Sequence, residues 1–204
     1  MPQYKLSYFP VRGRAELTRL LFAQAGVEYE DHRIPPSTWP TLKPTMPTET
    51  LPVLEVDGKK VAQSQAIARY VAREFNLAGD NNLEMAQCEQ VMETFIDMGN
   101  DIRPIWQEKD EAKKAELKKS VFEEKIKTKL KFVGKFLADN GGEFFVGKKI
   151  TMADIALIAT FELLSSWVCD EPFKDFPTLA AHKDKVSKEP KIAAWIAKRP
   201  ETKM

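Results

Sequence analysis

The spacing of apolar residues changes once along this chain, near residues 76–83, and that change limits the folds open to it. Before it, strand-like and helical runs alternate; after it, the period is helical throughout. "YKLSYF" (4–9) reads as a strand, and "RAELTRLLFAQAG" carries Leu17, Leu20, Leu21 and Ala25 at helical spacing up to Gly26, a helix stop. "VEYEDHRI" alternates as a second strand. Pro35, Pro36, Pro40, Pro44 and Pro47 then make residues 35–50 a loop with at most a short helix around Trp39–Lys43. "LPVLEVDGKKVAQ" supplies two strands joined at Asp57-Gly58, a dipeptide that readily takes the left-handed conformations of a tight hairpin. "SQAIARYVAREF" closes the segment as a helix with Ile67, Val71 and Phe75 on one face and Ser64 as its expected N-cap.

Beyond the Gly79-Asp80-Asn81-Asn82 turn, residues 83–107 put Cys88, Val91, Met92, Phe95, Ile102 and Trp106 on one broad helical face. Residues 111–139 alternate Lys and Glu with Leu117, Val121, Ile126, Leu130, Val133 and Leu137, the pattern of a helix with one solvated face. "KITMADIALIATFELL" carries its own start signals, with Thr151 as N-cap, Asp154 at the third helical position and Ile150 set to staple against Ile155, and is expected to be central and buried. Shorter helices fit 176–187 and 189–198. Two domains are expected, residues 1–78 and 79–204.

Charge narrows the function classes. Lys plus Arg is 31 against 30 for Asp plus Glu, so a net charge of +1 gives no electrostatic case for nucleic acid or a membrane surface. The greasiest run, "IALIATFELL", is interrupted by Thr160 and Glu162, and no signal segment opens the chain. Cys88 and Cys169 lie far apart with no paired Cys/His spacing, so neither a disulfide framework nor a metal site is expected, and a cytoplasmic location is the simplest. His32 and His182 have no triad partners in view, and no Gly-rich phosphate loop is present.

One short stretch does not fit a purely structural reading. "YFPVRGRAE" (8–16) crowds a phenol and two arginines where the first strand becomes the first helix. Taken alone, Tyr8 reads as a rim aromatic. Taken with "YEDHRI", "WPTLKPTMP", "LPVLEVDG", "QSQAIARY" and "PKIAAWIAKRPET", in that order and spacing, it resembles the cytosolic glutathione transferases over essentially the full length. The likeness is to the sigma class, which includes haematopoietic prostaglandin D synthases and cephalopod S-crystallins. The resemblance implies an α/β thioredoxin-like N-terminal domain, an all-α C-terminal domain, and a homodimer that conjugates glutathione, as co-substrate, to hydrophobic electrophiles. A weakly active lens protein and a prostaglandin D synthase-type isomerase are the alternatives it leaves open.

The implied chemistry is sound for these residue types. A cysteine thiol ionises near ~8.5, and lowering that by about two units takes roughly 2.7 kcal/mol. A hydrogen bond to an ionised group contributes about 1.5–3 kcal/mol, so a hydroxyl donated by Tyr8 supplies much of it. A phenol, ordinarily ionising near ~10, still holds its proton at neutral pH. By resemblance, Arg14 supports the thiolate electrostatically, while Arg12 either lines the pocket or faces water. Trp39 and Lys43 take the glycine carboxylate, and the backbone of Leu51, before a cis Pro52, pairs with the cysteinyl segment like a neighbouring strand. Gln63 and Ser64 hold the γ-glutamyl carboxylate at a helix N-terminus, and Asp97 reaches the γ-glutamyl amine in the neighbouring subunit. Glu93, Asp97 and Asp101 form an acidic stripe facing a candidate basic stripe of Arg69 and Arg73 across that dimer. Phe9, Val11, Ile96, Gly99 and Trp106 are the expected electrophile contacts. Two departures stand out. "TETLP" replaces the family's common Phe-Gly-Lys or Phe-Gly-Gln, leaving the shape and charge around Glu49 open, and Glu93 and Ile96 break the aspartate cluster that a prostaglandin synthase metal site would use.

Overall fold

A computed structural model describes residues 2–202. Chain contacts divide them into two compact units, one running to Leu77 and resuming at Glu189, the other Ala78–Lys188.

The first unit is built on a four-stranded sheet in the order β2-β1-β3-β4. Strand β1 (Tyr4–Tyr8) leads through a 3-10 turn (Gly13–Ala15) into helix α1 (Glu16–Ala25), and α1 returns to β2 (Glu30–Arg33), parallel to β1. Gly26 ends α1 at φ 69°, the left-handed cap expected of it. The proline-rich segment holds one short helix, α2 (Trp39–Leu42), and a further 3-10 turn (Lys43–Thr45). Strands β3 (Val53–Val56) and β4 (Lys59–Ala62) form the expected hairpin, with Asp57 at φ 47° and Gly58 at φ 81°. Helix α3 (Ser64–Glu74) follows. This is the thioredoxin-like half that the resemblance implied. Leu6, Leu20, Leu21, Phe22, Leu54, Ile67 and Val71 are fully buried in its core.

One expectation at α3 is corrected. Gln63, not Ser64, is the N-cap residue: its carbonyl accepts the Ile67 N–H at 3.0 Å, and Ser64 is the first helical residue. The helix begins one residue earlier than a preference for serine at caps would place it, straight after β4 ends at Ala62.

The last helix, α10 once the helices between are numbered, spans Pro190–Lys198 and packs on α1. The fully buried Glu16 carboxylate accepts Trp195 Nε1 at 3.0 Å and Arg199 Nη1 at 2.7 Å. Burial pushes the Glu16 carboxyl upward, yet the hydrogen bonds from Trp195 and Arg199 and the charge of Arg19 outweigh it and hold its pKa below the ordinary value. A carboxyl depressed in the folded state adds stability above its unfolded pKa and loses it as pH falls through the folded one. In urea titrations, wild type is therefore expected to lead Glu16→Gln by a constant margin above about pH 5, and the margin should close in more acid solution. A margin independent of pH would remove ionised Glu16 as its source.

The second unit is helical: α4 (Asn82–Asp101), α5 (Arg103–Gln107), α6 (Glu111–Val121), α7 (Lys127–Asp139), α8 (Met152–Trp167) and α9 (Pro177–Ser187). The helix expected over 83–107 is broken at Ile102, because Pro104 has no N–H to continue the ladder. The run 111–139 is interrupted by a π-helical turn at Phe122–Ile126. Asn81 caps α4 by accepting the Glu84 N–H at 3.0 Å. Helix α8 is central as expected, packed on α4 and α9 with Met152–Ile158 buried. Among the described residues no helix is long and apolar enough to cross a membrane.

Candidate active site

Sheet register brings three of the expected residues together. Ser7 pairs with Val53 and Val53 with Ala62, so one step further along the antiparallel ladders Tyr8, Pro52 and Gln63 stand abreast. Tyr8 also pairs with Arg33 on the parallel side. Three segments far apart in sequence thus end at one edge of the sheet. The Leu51-Pro52 peptide bond is cis, as expected, with Pro52 buried and Leu51 half-buried.

The Tyr8 hydroxyl has a defined partner: the Arg14 N–H donates to its oxygen at 3.2 Å. A phenol oxygen has two acceptor sites and one proton, so this contact uses an acceptor site and leaves the O–H free to donate outward. Accepting a hydrogen bond also polarises the hydroxyl as a donor. The Arg14 backbone thus contacts Tyr8, and its exposed side chain belongs to the 3-10 turn before α1 rather than to the helix. Gly13 makes this possible. It sits at φ 40°, and a Cβ there would come within 2.8 Å of the Tyr8 hydroxyl. Sequence reasoning missed Gly13, although a glycine between two arginines at a strand-to-helix turn is a readable sign of close backbone approach.

Aromatic contacts tie the proline-rich segment to this edge. The Phe9 ring lies 5.8 Å from that of Tyr8 and meets the Trp39 ring edge-on at 5.6 Å. Lys43 donates its N–H to the Trp39 carbonyl, so the indole and the ammonium stand one turn apart. The "TET" departure acts here: Glu49, at φ 51°, brings its carboxylate 4.0 Å from Lys43 Nζ. Any carboxylate brought to Lys43 would meet Glu49 already beside it. Glu49→Gln is expected to lower KM for glutathione about two- to fourfold with kcat unchanged, since exposed ion pairs contribute roughly 0.2–1 kcal/mol. An unchanged KM would show that Glu49 does not compete.

Gln63 adopts φ 75°, ψ 113°, a region rarely occupied by any residue but glycine and costly by about 1–3 kcal/mol. Such strain is common where a side chain and the following helix must meet a ligand together. The Gln63 side chain makes no capping hydrogen bond, so it leaves the first N–H groups of α3 uncapped.

The remaining expected residues belong to the second unit. Asp97 is exposed on α4, with Ile96 and Gly99 half-buried beside it. Trp106, on α5, packs edge-on to Trp167 at 5.6 Å. Asp101 is not part of a free acidic stripe: it accepts Lys129 and lies 3.7 Å from Lys125, both from the segment that packs beside α4. The histidines are structural. His32 bonds Ser7 Oγ across the β1–β2 pair at 3.1 Å, and His182 bonds Asp154 within the helical core at 2.8 Å. Burial pushes the Cys88 thiol up to about 11 and raises Cys169 as well, the second with help from Asp170, so neither offers a ready thiolate. Among the described residues no three His, Cys, Asp or Glu side chains converge to hold a metal ion.

Known proteins agree with this architecture. The family "Glutathione S-transferase, N-terminal domain" matches residues 4–73, and "Glutathione S-transferase, C-terminal domain" matches residues 96–199. The chain is 45% identical to haematopoietic prostaglandin D synthase of Gallus gallus over 99% of both chains. It is 41% identical to glutathione S-transferase 1 of Ascaris suum, again over 99% of both. It superposes on the crystal structure of a major nematode, Caenorhabditis elegans-specific GST with a TM-score of 0.91 at 39% identity, covering 100% of each chain.

Proposed function

The chain belongs to the glutathione S-transferase family, and from that premise we propose that it binds glutathione at the Tyr8 edge of the sheet, stabilises its thiolate and transfers it to hydrophobic electrophiles. The observation that carries this reading is the Tyr8 hydroxyl, whose oxygen accepts the Arg14 N–H and whose proton is left to donate. In this reading the thiol proton leaves to solvent and the Tyr8 hydroxyl keeps its own. Trp39 and Lys43 receive the glycine carboxylate, Leu51 pairs through its backbone with the cysteinyl segment, and Gln63 and Ser64 receive the γ-glutamyl carboxylate at the start of α3. Phe9 and Val11 offer apolar contact to the electrophile, and Ile96, Gly99 and Trp106 are the helical residues assigned to it by resemblance. The direct test is conjugation of glutathione to a chromogenic aryl halide, and absence of conjugation in the folded protein would favour a structural, crystallin-like role.

The isomerase reading has one observation in its favour, the 45% identity to a prostaglandin D synthase. A prostaglandin endoperoxide offered with glutathione tests it, with a specific D-type product as the positive result. Retention of Tyr8, Arg14, Trp39, Lys43, Gln63, Ser64 and Asp97 together supports an active enzyme over a lens protein.

A sigma-like, cytoplasmic homodimer completes the proposal. Arg69 and Arg73 lie on one side of α3, with Ala66, Tyr70 and Glu74 lining a groove between them, and Asp97 is exposed on α4. Reversing the charge of both arginines is expected to shift sedimentation at low micromolar concentration from dimer toward monomer. A double variant that stays dimeric would discard this pairing.

A further inference from the structure

Arg19, on α1, is 0% exposed and is the largest fully buried side chain among the described residues. Desolvating a cation costs roughly several kcal/mol even after relaxation, so its surroundings require an explanation. Nε donates to Asp31 Oδ1 at 3.0 Å, and Nη1 reaches Glu16 Oε2 at 3.2 Å. The same Nη1 also donates to the carbonyls of Val11 at 2.9 Å and Arg12 at 3.3 Å. Those carbonyls belong to the short loop that carries the chain from Tyr8 to Gly13 and Arg14. The guanidinium carbon lies 6.0 Å from the centroid of the Tyr8 ring, at the outer limit of a cation–π contact. Nη2 is buried with no hydrogen-bond partner among the described residues. A buried unmet N–H costs about 1–3 kcal/mol, and a group arranged only to neutralise Glu16 and Asp31 would turn Nη2 onto a carboxylate. Its orientation instead serves the loop carbonyls and the phenol face.

We propose that Arg19 is a positioning residue for thiolate formation, fixing the Val11–Arg12 backbone and facing the Tyr8 ring so that the Arg14 N–H meets the phenol oxygen and the hydroxyl proton is aimed at the glutathione sulfur. The proposal rests on the role assigned to Tyr8. The charged groups around Arg19 are Glu16 on its own helix, Asp31 on β2 with Arg33 bonded to it, and Arg199 after α10, bonded to Glu16. Asp31 holds Nε, while Nη1 is shared between Glu16 and the two loop carbonyls, so the carboxylates and the loop are tied through one guanidinium.

The test compares wild type, Arg19→Lys, Tyr8→Phe and the double variant. Lysine keeps a cation near Glu16, but one ammonium cannot take the Val11 and Arg12 carbonyls and also reach Asp31 as the separate Nε donor does, nor present a planar face to Tyr8. Ultraviolet titration of the thiolate in the glutathione complex is expected to move upward by about half to one pH unit in Arg19→Lys. The corresponding kcat/KM should fall about two- to fivefold near pH 6.5 and rejoin wild type in alkaline solution, where the thiolate is fully populated, with KM for glutathione within about twofold. Arg19→Lys should add no further shift once Tyr8 is Phe. A loss equal at every pH, no shift, or a further shift in the double variant would overturn the proposal. If Arg19→Lys does not fold, the side-chain Nε resonance of Arg19 in labelled wild type decides: glutathione must move it, and must not in Tyr8→Phe. A titration already unchanged in Tyr8→Phe would instead defeat the Tyr8 reading itself.

Discussion

Tyr8→Phe is expected to lower kcat/KM for glutathione conjugation near neutral pH by roughly 10- to 150-fold, the equivalent of a charge-assisted hydrogen bond of about 1.5–3 kcal/mol. The loss should fall mainly on kcat. Phenylalanine fills the same space against Phe9, so the aromatic contact that leads on to Trp39 survives, and with it most glutathione affinity. Only the donor to sulfur is deleted. The pH–rate profile should move upward by about one to two units as the bound thiol returns toward its ordinary pKa. Equal rates in both proteins, or a loss confined to KM, would show that Tyr8 does not stabilise the thiolate. A companion substitution separates presentation of the hydroxyl from its presence. In Gly13→Ala the added Cβ meets the Tyr8 hydroxyl at 2.8 Å on a backbone at φ 40°, so the hydroxyl is retained and displaced.

The elements that carry the candidate site were legible from local signals, whereas its residues were assigned only by resemblance of the ordered segments. Strand, hairpin and helix signals fixed which residues end at the sheet edge, and Asp57-Gly58 set the register that puts Gln63 opposite Pro52. What stayed hidden depends on groups distant in sequence. The Arg14 N–H contact to Tyr8 was not readable, because it depends on a 3-10 turn before α1 in which Gly13 lies against the phenol. Arg19 drew no notice in the sequence, where it lies among the apolar positions of α1. Its partners lie on β2, in the loop after β1 and, through Glu16, at residues 195 and 199, so no local pattern announces it. Those same bonds return α10 to the first unit although the sequence joins it to the second, and a period count cannot see a contact across 179 residues. The break at Ile102 was readable from Pro104, whereas the π turn at Phe122–Ile126 has no comparable signal in its sequence.

Asp154→Ala is expected to lower stability more than any substitution at the Tyr8 edge, because one buried carboxylate organises the start of α8. Its Oδ2 accepts the Thr151 N–H and the Thr151 hydroxyl, each at 2.8 Å, which closes the cap anticipated from the Thr-x-x-Asp spacing. Its Oδ1 does more than a cap requires. It accepts the Phe145 N–H at 2.9 Å from the segment before α8 and His182 Nε2 at 2.8 Å from α9. Asp154 is 0% and His182 4% exposed, so water cannot replace the lost acceptor. Each stranded donor costs about 1–3 kcal/mol, and because the losses are not additive the expected total is about 3–5 kcal/mol. With a urea slope of roughly 2–3 kcal/mol per molar for a chain of this size, the unfolding midpoint of the second unit should fall by about 1–2 M. Asp154→Asn should lose less, since its one oxygen still serves one side while its amide nitrogen confronts donors on the other. A midpoint for Asp154→Ala within about 0.3 M of wild type would mean that the helical core closes without this carboxylate, and that the four donors find other acceptors as α8 shifts.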